Sequence, residues 1–328
     1  MNDNPRLSVI ILTRNREEYL TECIQSVRKQ KYPDYELVIV DNGSSDGTQE
    51  YIRNTLPEAV NIYSDTNLGI AEGRNRGASA SRGDLLFFLD DDGTVREPDA
   101  FSRSVQTFDR DPDLAVLFGQ VRDAETDGPQ KCFFSFQTNK SVYPHPVYTD
   151  IFRGGVACIR KEIFERVGGF DPSYFMEAEE FDFSLRVLDA DGKIRFDPGI
   201  TLEHARLSTR GPSGRISSFN LRNYLITFWK NLPLLSACLF TLSTLATRMF
   251  NALRNGWILW YFRGVFAWLL RMPATFFSKR HCISSSAFKR WLILKSYPVE
   301  DYQQIEKHMD INLLKFISIS RRNRKQRN

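Results

Sequence analysis

The sequence predicts an α/β protein in which a parallel, doubly wound sheet is flanked by helices. Three short apolar runs are each followed by turn-forming residues and a helical pattern, and a fourth run ends in Asp90, Asp91 and Asp92. Strands that alternate with helices along a chain are typical of a parallel sheet. Ligands of such open sheets bind at the carboxyl ends of the strands, so we expect the binding site at that edge.

The apolar run 85–89 and its three aspartates are the centre of this prediction. A short run bounded by Gly83 and Gly93 indicates a strand that is buried on both faces. Adjacent carboxylates repel one another, and oxygen ligands suit Mg²⁺ or Mn²⁺, which is usually shared with a substrate phosphate. A solvated acidic turn is the alternative interpretation of the triplet taken alone.

Three strand–helix units precede the acidic strand, and polar side chains follow the strands. Asn15 with Glu18, and Asp46 with Gln49, have the spacing of helix capping boxes. The predicted strands are residues 7–12, 36–40 and 60–63. One predicted helix runs from 15 to about 30, and another runs from 70 to about 81.

A less regular series of elements follows the aspartates. The long irregular stretch 123–150 is expected to form a lid or a wall of the acceptor site. The predicted strands are residues 114–118, a strand that begins within 152–160 and ends at 160, and residues 193–196 and 200–203. The predicted helices run from 97 to about 109, from 161 to 167, and from a start within 175–182 to about 190. A linker is predicted at 211–214.

Composition and missing signatures exclude several classes of protein. Hydrophobic residues make up 42% and charged residues 26% of the 328, as in globular proteins. Five scattered cysteines without a CxxC pair argue against a disulfide framework or a zinc site and are typical of a reducing compartment. Neither a GxGxxG after the first strand nor a P-loop signature is present, which disfavours dinucleotide oxidoreductases and P-loop NTPases.

Residues 1–210 resemble the inverting family 2 glycosyltransferases of the GT-A fold, of the bacterial cell-envelope type. The order and spacing of several motifs carry this resemblance. They are Val-Ile-Ile-Leu-Thr-Arg-Asn at 9–15, Val-Ile-Val-Asp-Asn-Gly-Ser-Ser-Asp-Gly-Thr at 38–48, Asn-Leu-Gly at 67–69 with Arg74-Asn75, Phe-Leu-Asp-Asp-Asp at 88–92, Val-Gly-Gly-Phe-Asp at 167–171, and Glu-Glu-Phe-Asp at 179–182 followed by Arg186. The resemblance implies a Rossmann-like, mostly parallel sheet flanked by helices.

The resemblance also implies a nucleotide-sugar site at the strand ends. Thr13 and Asp41 match residues that hold the base and ribose, and a carboxylate suits the N3–H of uracil or thymine, so UDP or dTDP is the favoured carrier. Asp41 as a turn residue and Arg74 as an exposed helical arginine are the alternatives to binding roles. The residues expected to line the site are Thr13, Arg14, Asn15, Asp41, Asn67, Gly69, Arg74, Asp90 and Asp91.

Asp90-Asp91-Asp92 looks like the Asp-x-Asp motif of the family. The motif implies a divalent metal, Mn²⁺ or Mg²⁺, held by Asp92 and Asp90 and bridging the two phosphates. His204 matches a histidine that family members often place near the diphosphate or the metal, and a structural histidine is the alternative.

Inversion at the anomeric carbon needs one general base for the acceptor hydroxyl. By its position Glu180 matches the base of the family. Many members read Glu-Asp where this chain reads Glu179-Glu180, so Glu179 and Asp182 stay open as candidates. The alternative is ordinary helix electrostatics, because carboxylates favour a helix N-terminus.

Residues 211–328 are predicted to form a helical, basic, aromatic-rich region that associates with a membrane. The net charge of +4 combines −13 in residues 1–205 with +17 in residues 206–328, and all five tryptophans lie after residue 228. Aromatic and basic residues on apolar helices suit a membrane interface, whereas a spanning helix needs about 20 predominantly apolar residues. A spanning or re-entrant hairpin, packing on the catalytic domain and a homo-oligomer are the alternatives. We expect a peripheral protein on the cytoplasmic face of the inner (plasma) membrane, with no nucleic acid as partner.

The leading hypothesis is a metal-dependent inverting glycosyltransferase. It would move a sugar from a nucleoside-diphosphate sugar to a hydroxyl of a lipid-linked or envelope glycan. A nucleotidyltransferase acting on sugar phosphates is the runner-up, but residues 13–16 lack the glycines of its signature. A non-enzymatic membrane or nucleic-acid binding protein is the third hypothesis, and it leaves the acidic crevice residues unexplained.

Overall fold

The computed structural model of the protein describes residues 5–124, 143–205, 213–296 and 299–309. Most of the predicted irregular stretch and part of the predicted linker therefore lie outside the described residues. The first part of the chain alternates strands and helices in the predicted order. Its elements are β1 (Leu7–Thr13), α1 (Glu17–Arg28), β2 (Tyr35–Asp41), α2 (Thr48–Thr55), β3 (Val60–Tyr63), α3 (Ile70–Ala80) and β4 (Leu85–Asp90).

The elements after β4 complete the sheet and then form a helical region. They are β5 (Gly93–Val95), α4 (Ala100–Arg110), β6 (Leu114–Asp123), β7 (Val147–Tyr148), β8 (Val156–Arg160), α5 (Lys161–Arg166), a 3₁₀ turn (Pro172–Tyr174), α6 (Glu179–Asp189), β9 (Lys193–His204), α7 (Gly214–Asn231), α8 (Leu234–Asn255), α9 (Ile258–Phe277), α10 (Ser285–Ser296) and α11 (Gln303–Met309).

The strands of the described chain form one nine-stranded sheet. Its order is β3-β2-β1-β4-β8-β6-β9-β5, and β7 pairs with β9. Strands β1 to β4 run parallel, and β8 is antiparallel to both of its neighbours, β4 and β6. Because β9 is parallel to β6, six strands point one way, and the carboxyl ends of β1, β2 and β4 meet at one edge.

The predicted burial of the acidic strand on both faces is confirmed. Residues 85–89 are at most 3% exposed. Successive side chains of a strand point to opposite faces. The ring of Phe87 accordingly packs 5.0 Å from Phe101 on one face, and that of Phe88 packs 5.7 Å from Phe170 on the other. This packing holds the strand that ends in the three aspartates.

The predicted capping box at the first helix is wrong. Helix α1 begins at Glu17, and Asn15 has a φ of +53°. The backbone N–H of Asn15 donates to Ser44 Oγ at 2.9 Å, and its side-chain oxygen accepts from the Ser45 N–H at 2.8 Å. Asn15 therefore joins the loop after β1 to the loop after β2, a contact that a local capping pattern does not reveal.

The two strands predicted at 193–196 and 200–203 are one strand, β9. Its pairing with β6 shifts in register between Gly119 and Gln120, so the chain bulges there. The short strand β5, which the sequence did not predict, follows the aspartates directly and pairs antiparallel with the end of β9. This pairing sets Gly93 opposite His204.

The C-terminal helices share a hydrophobic cluster with one face of the sheet. The ring of Phe181 on α6 stacks on Tyr224 of α7 at 5.1 Å and lies 6.0 Å from Trp291 of α10. The division into residues 1–210 and 211–328 stays a prediction. Among the helices of the described chain, none is long and apolar enough to cross a membrane.

Candidate active site

Three side chains at the carboxyl end of β4 form a candidate metal site. One oxygen of Asp90, one oxygen of Asp92 and one ring nitrogen of His204 lie within 4.8 Å of one another. The Asp92 side chain is buried, whereas that of Asp90 is 37% exposed. Two carboxylates and an imidazole suit a divalent cation such as Mn²⁺. The structure thus brings the three predicted ligands together.

The place of His204 follows from the pairing of β5 with β9. The N–H of Ala205 donates to the backbone carbonyl of Asp92 at 2.9 Å, and His204 Nε2 lies 3.1 Å from Asp92 Oδ1. Burial lowers the pKa of His204, but the hydrogen bond and charge of Asp92 outweigh burial, so that the pKa is raised. Burial raises the pKa of Asp92, but His204 and Arg16 outweigh it, so that this pKa is lowered.

Asp91 contacts the end of β1 and the residue that directly precedes α1. The hydroxyl of Thr13 donates to Asp91 Oδ2 at 2.9 Å. Arg16 Nη1 lies 2.5 Å from Asp91 Oδ1 and 2.9 Å from Asp92 Oδ2. Burial raises the pKa of Asp91 to about 6, against the charge of Arg16. Two residues predicted to bind the nucleotide, Thr13 and Asp91, therefore contact each other.

Asp41 is fully buried at the end of β2 and uses only one of its oxygens. Its Oδ1 accepts from the Ser44 N–H at 3.0 Å and from Gln49 Nε2 at 2.8 Å. Because Gln49 contacts Asp41, it does not complete the predicted capping box with Asp46. Asp41 Oδ2 is buried and has no hydrogen-bond partner among the described residues. One oxygen thus shapes the turn, and the other is available for a further hydrogen bond.

The remaining predicted nucleotide residues form the loops around Asp41. Arg14 Nε donates to the Gly43 carbonyl at 3.3 Å, and Asn67 Oδ1 accepts from the Gly69 N–H at 2.9 Å. Gly69 has a φ of +86°, and a Cβ there would lie 2.4 Å from the carbonyl oxygen of Phe175. Asn67 and Gly69 therefore shape the loop that meets the turn before α6.

Arg74 is a buried residue that lies between the metal ligands and the helix of the predicted base. Its Nη2 is 3.0 Å from Asp90 Oδ1, and its Nη1 is 3.5 Å from Glu180 Oε1 and 3.6 Å from Glu179 Oε1. Burial lowers the pKa of Arg74, but the three carboxylates together raise it. The structure excludes the alternative of an exposed helical arginine.

Two glycines before β8 make room for these charged groups. A Cβ on Gly155 would lie 2.4 Å from Asp90 Oδ2, and a Cβ on Gly154 would lie 2.2 Å from Arg74 Nη1. The N–H of Gly154 donates to Glu180 Oε1 at 3.2 Å. The glycine pair visible in the sequence is thus part of the site.

The two candidate bases at the start of α6 differ in access. The Glu180 side chain is 21% exposed, whereas that of Glu179 is 3% exposed. Burial, and next the charge of Glu180, raise the pKa of Glu179 well above its usual range. A general base takes a proton only in its ionised form, and the raised pKa makes that form of Glu179 less favourable. These differences in exposure and pKa favour Glu180 over Glu179 as the candidate general base.

Asp182, the third candidate base, is fully buried in contacts with other elements. Its Oδ2 accepts from Arg186 Nη2 at 2.7 Å and from Lys230 Nζ at 3.1 Å, and its Oδ1 accepts from Asn231 Nδ2 at 2.8 Å. Burial raises its pKa, but Arg186 and Lys230 outweigh it, so that the pKa is lowered. Asp182 therefore joins α6 to α7 and is not retained as a candidate base.

Solved structures with a similar fold include GalNAc-T7 and a mannosyltransferase. The structure of GalNAc-T7 with UDP, GalNAc and Mn²⁺ has a TM-score of 0.55 and 20% identity, and it covers 71% of this chain and 49% of that one. The mannosyltransferase PcManGT from Pyrobaculum calidifontis, in complex with GDP-Man and Mn²⁺, has a TM-score of 0.54 and 18% identity. That likeness covers 85% of this chain and 89% of the mannosyltransferase chain. This likeness shows the fold, which is the GT-A fold of glycosyltransferases.

The sequence comparison identifies the family. Residues 8–168 match the family model described as glycosyl transferase family 2. An uncharacterised glycosyltransferase of Haemophilus influenzae is 29% identical over 190 residues, which are 56% of this chain and 62% of that protein. The PGL/p-HBAD biosynthesis glycosyltransferase of Mycobacterium bovis is 27% identical over 186 residues, 56% of this chain and 69% of that protein. Residues 8–168, about half of the chain, therefore belong to glycosyltransferase family 2. The chain spans about two thirds of the length of these relatives.

Proposed function

We propose that the protein is a metal-dependent inverting glycosyltransferase that uses a UDP- or dTDP-sugar and a hydroxyl of a lipid-linked or envelope glycan. The observation that carries this proposal is the set of Asp90, Asp92 and His204, together with a buried Asp41 oxygen that has no hydrogen-bond partner in the described part of the chain. A further relative, whose name includes a lipid-linked sugar, supports a lipid-linked acceptor. The glucosyl-dolichyl phosphate glucuronosyltransferase of Haloferax volcanii is 26% identical over 57% of this chain and 65% of that protein.

The residues of the chain have separate roles in this reaction. Asp90, Asp92 and His204 would hold the divalent metal, which neutralises charge on the diphosphate as it leaves. Glu180 takes the proton of the acceptor hydroxyl, whose oxygen forms the new bond to the anomeric carbon as the bond to the diphosphate breaks. Attack from the side opposite the leaving group inverts the configuration. Arg74 pairs with both Asp90 and Glu180 and so helps to position the two carboxylates.

Asp41 supports a pyrimidine carrier. Its Oδ2, which no described residue contacts by a hydrogen bond, can accept one N–H, and the pyrimidine ring of uracil or thymine presents one at N3. Guanine presents two neighbouring donors and would leave one of them unmatched. We therefore expect UDP and dTDP, each with Mn²⁺, to raise the melting temperature more than GDP does, because a ligand stabilises a fold in proportion to its binding.

A thermal-shift screen of UDP, dTDP and GDP with and without Mn²⁺ measures this preference. Asp41→Asn keeps the shape of the side chain but presents an N–H where an oxygen stood, and it should remove the stabilisation by UDP. Asp46→Asn, in the same loop, is the matched control and should keep it. A larger shift with GDP would contradict the pyrimidine carrier, and no shift with any diphosphate would contradict the use of a nucleotide sugar.

The hairpin of α8 and α9 supports association with a membrane. Twelve of its large apolar side chains are more than half exposed, and they recur at helical spacing on each helix. They are Leu234, Leu235, Leu239, Leu242, Phe250 and Leu253 on α8, and Leu259, Phe262, Phe266, Leu269, Leu270 and Phe277 on α9. No acidic residue occurs between Glu203 and Glu300 in the sequence, and the guanidinium of Arg263 lies 5.4 Å from the ring of Trp260. An apolar face with aromatic and basic residues suits a surface of anionic lipids.

A vesicle experiment tests this association. We expect the protein to sediment with phosphatidylglycerol-containing vesicles, and Phe266→Glu with Leu270→Glu to lower the bound fraction at least about fivefold, because two carboxylates would enter the apolar boundary. Gln25→Glu with Gln106→Glu adds the same charge at exposed positions on α1 and α4, and it should bind like the unmodified protein. Equal binding by both double variants would contradict docking through this hairpin.

A further inference from the structure

The turn before α6 has a backbone conformation that its residues do not favour. Phe175, Glu177 and Ala178 have φ values of +63°, +70° and +63°. Residues other than glycine rarely adopt positive φ, and such a conformation persists only where the surroundings enforce it. Because Glu179 and Glu180 come directly after the turn, its conformation sets where α6 begins and where their carboxylates lie.

Asn223 of α7 makes the densest set of contacts with this turn. Its Nδ2 lies 3.1, 2.8 and 2.6 Å from the carbonyl oxygens of Tyr174, Met176 and Glu177. Arg222 Nε donates to Asn223 Oδ1 at 2.7 Å, which turns the amide nitrogen toward the carbonyl groups. Asn223 is fully buried, so water does not compete for these contacts.

Other contacts confine the same turn from both sides. Arg222 Nη2 donates to the Tyr174 carbonyl at 2.6 Å, and Asn220 Nδ2 donates to Glu177 Oε2 at 3.2 Å. On the other side, the carbonyl of Phe175 accepts from the Ile70 N–H at 2.5 Å, at the start of α3. The turn therefore lies between helix α7 and the loop that contains Asn67 and Gly69.

We infer that Asn223 is a positioning residue for sugar transfer. It holds the turn at residues 174–178 in its positive-φ conformation and thereby places the Glu180 carboxylate beside the Gly154 N–H. The inference rests on the proposed function, because it takes Glu180 as the base. It also gives the C-terminal helices a part in catalysis, since a residue of α7 sets the position at which α6 begins.

Asn223→Ala is expected to lower kcat about 10- to 100-fold, since a misplacement of about 1 Å can cost that much. The Kd of UDP with Mn²⁺ should change less than about twofold, because Asp41 and the metal ligands lie outside the turn. Turnover is measured as release of the nucleoside diphosphate from the nucleotide sugar, with a lipid extract of bacterial membranes as acceptor. Asn223→Asp, which keeps the volume and replaces the donor by an acceptor, serves if Asn223→Ala does not fold.

A matched control and a rescue separate positioning from stability. Thr241→Val removes the hydrogen bond from Trp229 Nε1 at 3.0 Å, which joins α7 to α8 away from the turn, and it should leave kcat within about twofold. Ala178→Gly makes positive φ readily accessible at this residue. Added to Asn223→Ala, it should restore kcat at least about fivefold, and added to Glu180→Gln it should restore nothing.

Three results would overturn the inference. They are an unchanged kcat in both Asn223 variants, a loss of UDP binding that equals the loss of kcat, and an absence of rescue by Ala178→Gly. Failure of the proposed function looks different, because Glu180→Gln and Glu179→Gln would then both keep full turnover. A large effect of Glu180→Gln with none of Asn223→Ala removes only the positioning role.

Discussion

Asp92→Ala is expected to abolish transfer, and Asp90→Ala to lower it severely, while the fold is retained. Both carboxylates belong to the set that would hold the metal, and Asp92 also contacts His204 and Arg16. A loss of about 4 kcal/mol, within the several kcal/mol that a metal supplies, lowers the rate about 10³-fold. The measurement is release of the nucleoside diphosphate from the nucleotide sugar in Mn²⁺, with the bacterial lipid extract present.

The control for these variants is an aspartate outside the site. Asp109 on α4 is exposed and pairs with Arg6 at 2.8 Å, so Asp109→Ala should keep full turnover. Asp92→Asn preserves the volume of the side chain and should lose activity with little change in melting temperature. Full activity of Asp92→Ala in the presence of EDTA would refute the metal-dependent mechanism.

Glu180→Gln is expected to lower kcat by about 10²- to 10⁴-fold, the usual contribution of a general base. Glutamine keeps the oxygen that accepts from the Gly154 N–H, so the start of α6 should be preserved. Donor binding should change little, because Asp41, Asp92 and His204 do not contact Glu180, and glutamine keeps an oxygen near Arg74, which pairs with Asp90. The measurement is kcat at saturating donor, together with the Kd of UDP.

Glu179→Gln is the matched control for this variant, with a smaller expected effect. Glu179 is buried, and its raised pKa favours the protonated form, which glutamine resembles. If Glu179→Gln lost more activity than Glu180→Gln, the base would be Glu179. If both variants kept full turnover, neither carboxylate would be the base.

The first four strands could be predicted from the sequence because the residues that mark each of them are adjacent in the chain. The first three strands are short apolar runs followed by turn residues and a helical pattern, and β4 is an apolar run between glycines that ends in three aspartates. The polar residues after β1, β2 and β4 could be placed together because parallel strands end at one edge. The resemblance to a family with the same motifs added the metal ligands.

The parts that could not be predicted depend on contacts between distant residues. His204 reaches Asp92 through the pairing of β5 with β9, and β5 is only three residues long. Arg16 falls in the helix predicted from residue 15 and has no predicted role there, because its contact with Asp91 depends on the meeting of β1 and β4. Asn223 lies in a helix beyond the resemblance, and only the structure shows that it contacts the turn before α6.

The most direct test of the central claim is a calorimetric titration of UDP into the protein, in Mn²⁺ and in EDTA. If Asp90, Asp92 and His204 hold a metal that meets the diphosphate, UDP should bind in Mn²⁺ and at least about tenfold more weakly in EDTA, because the metal neutralises phosphate charge. Asp92→Ala should bind in Mn²⁺ as weakly as the unmodified protein binds in EDTA. Equal affinity in Mn²⁺ and EDTA, or full Mn²⁺-dependent affinity in Asp92→Ala, would contradict the account.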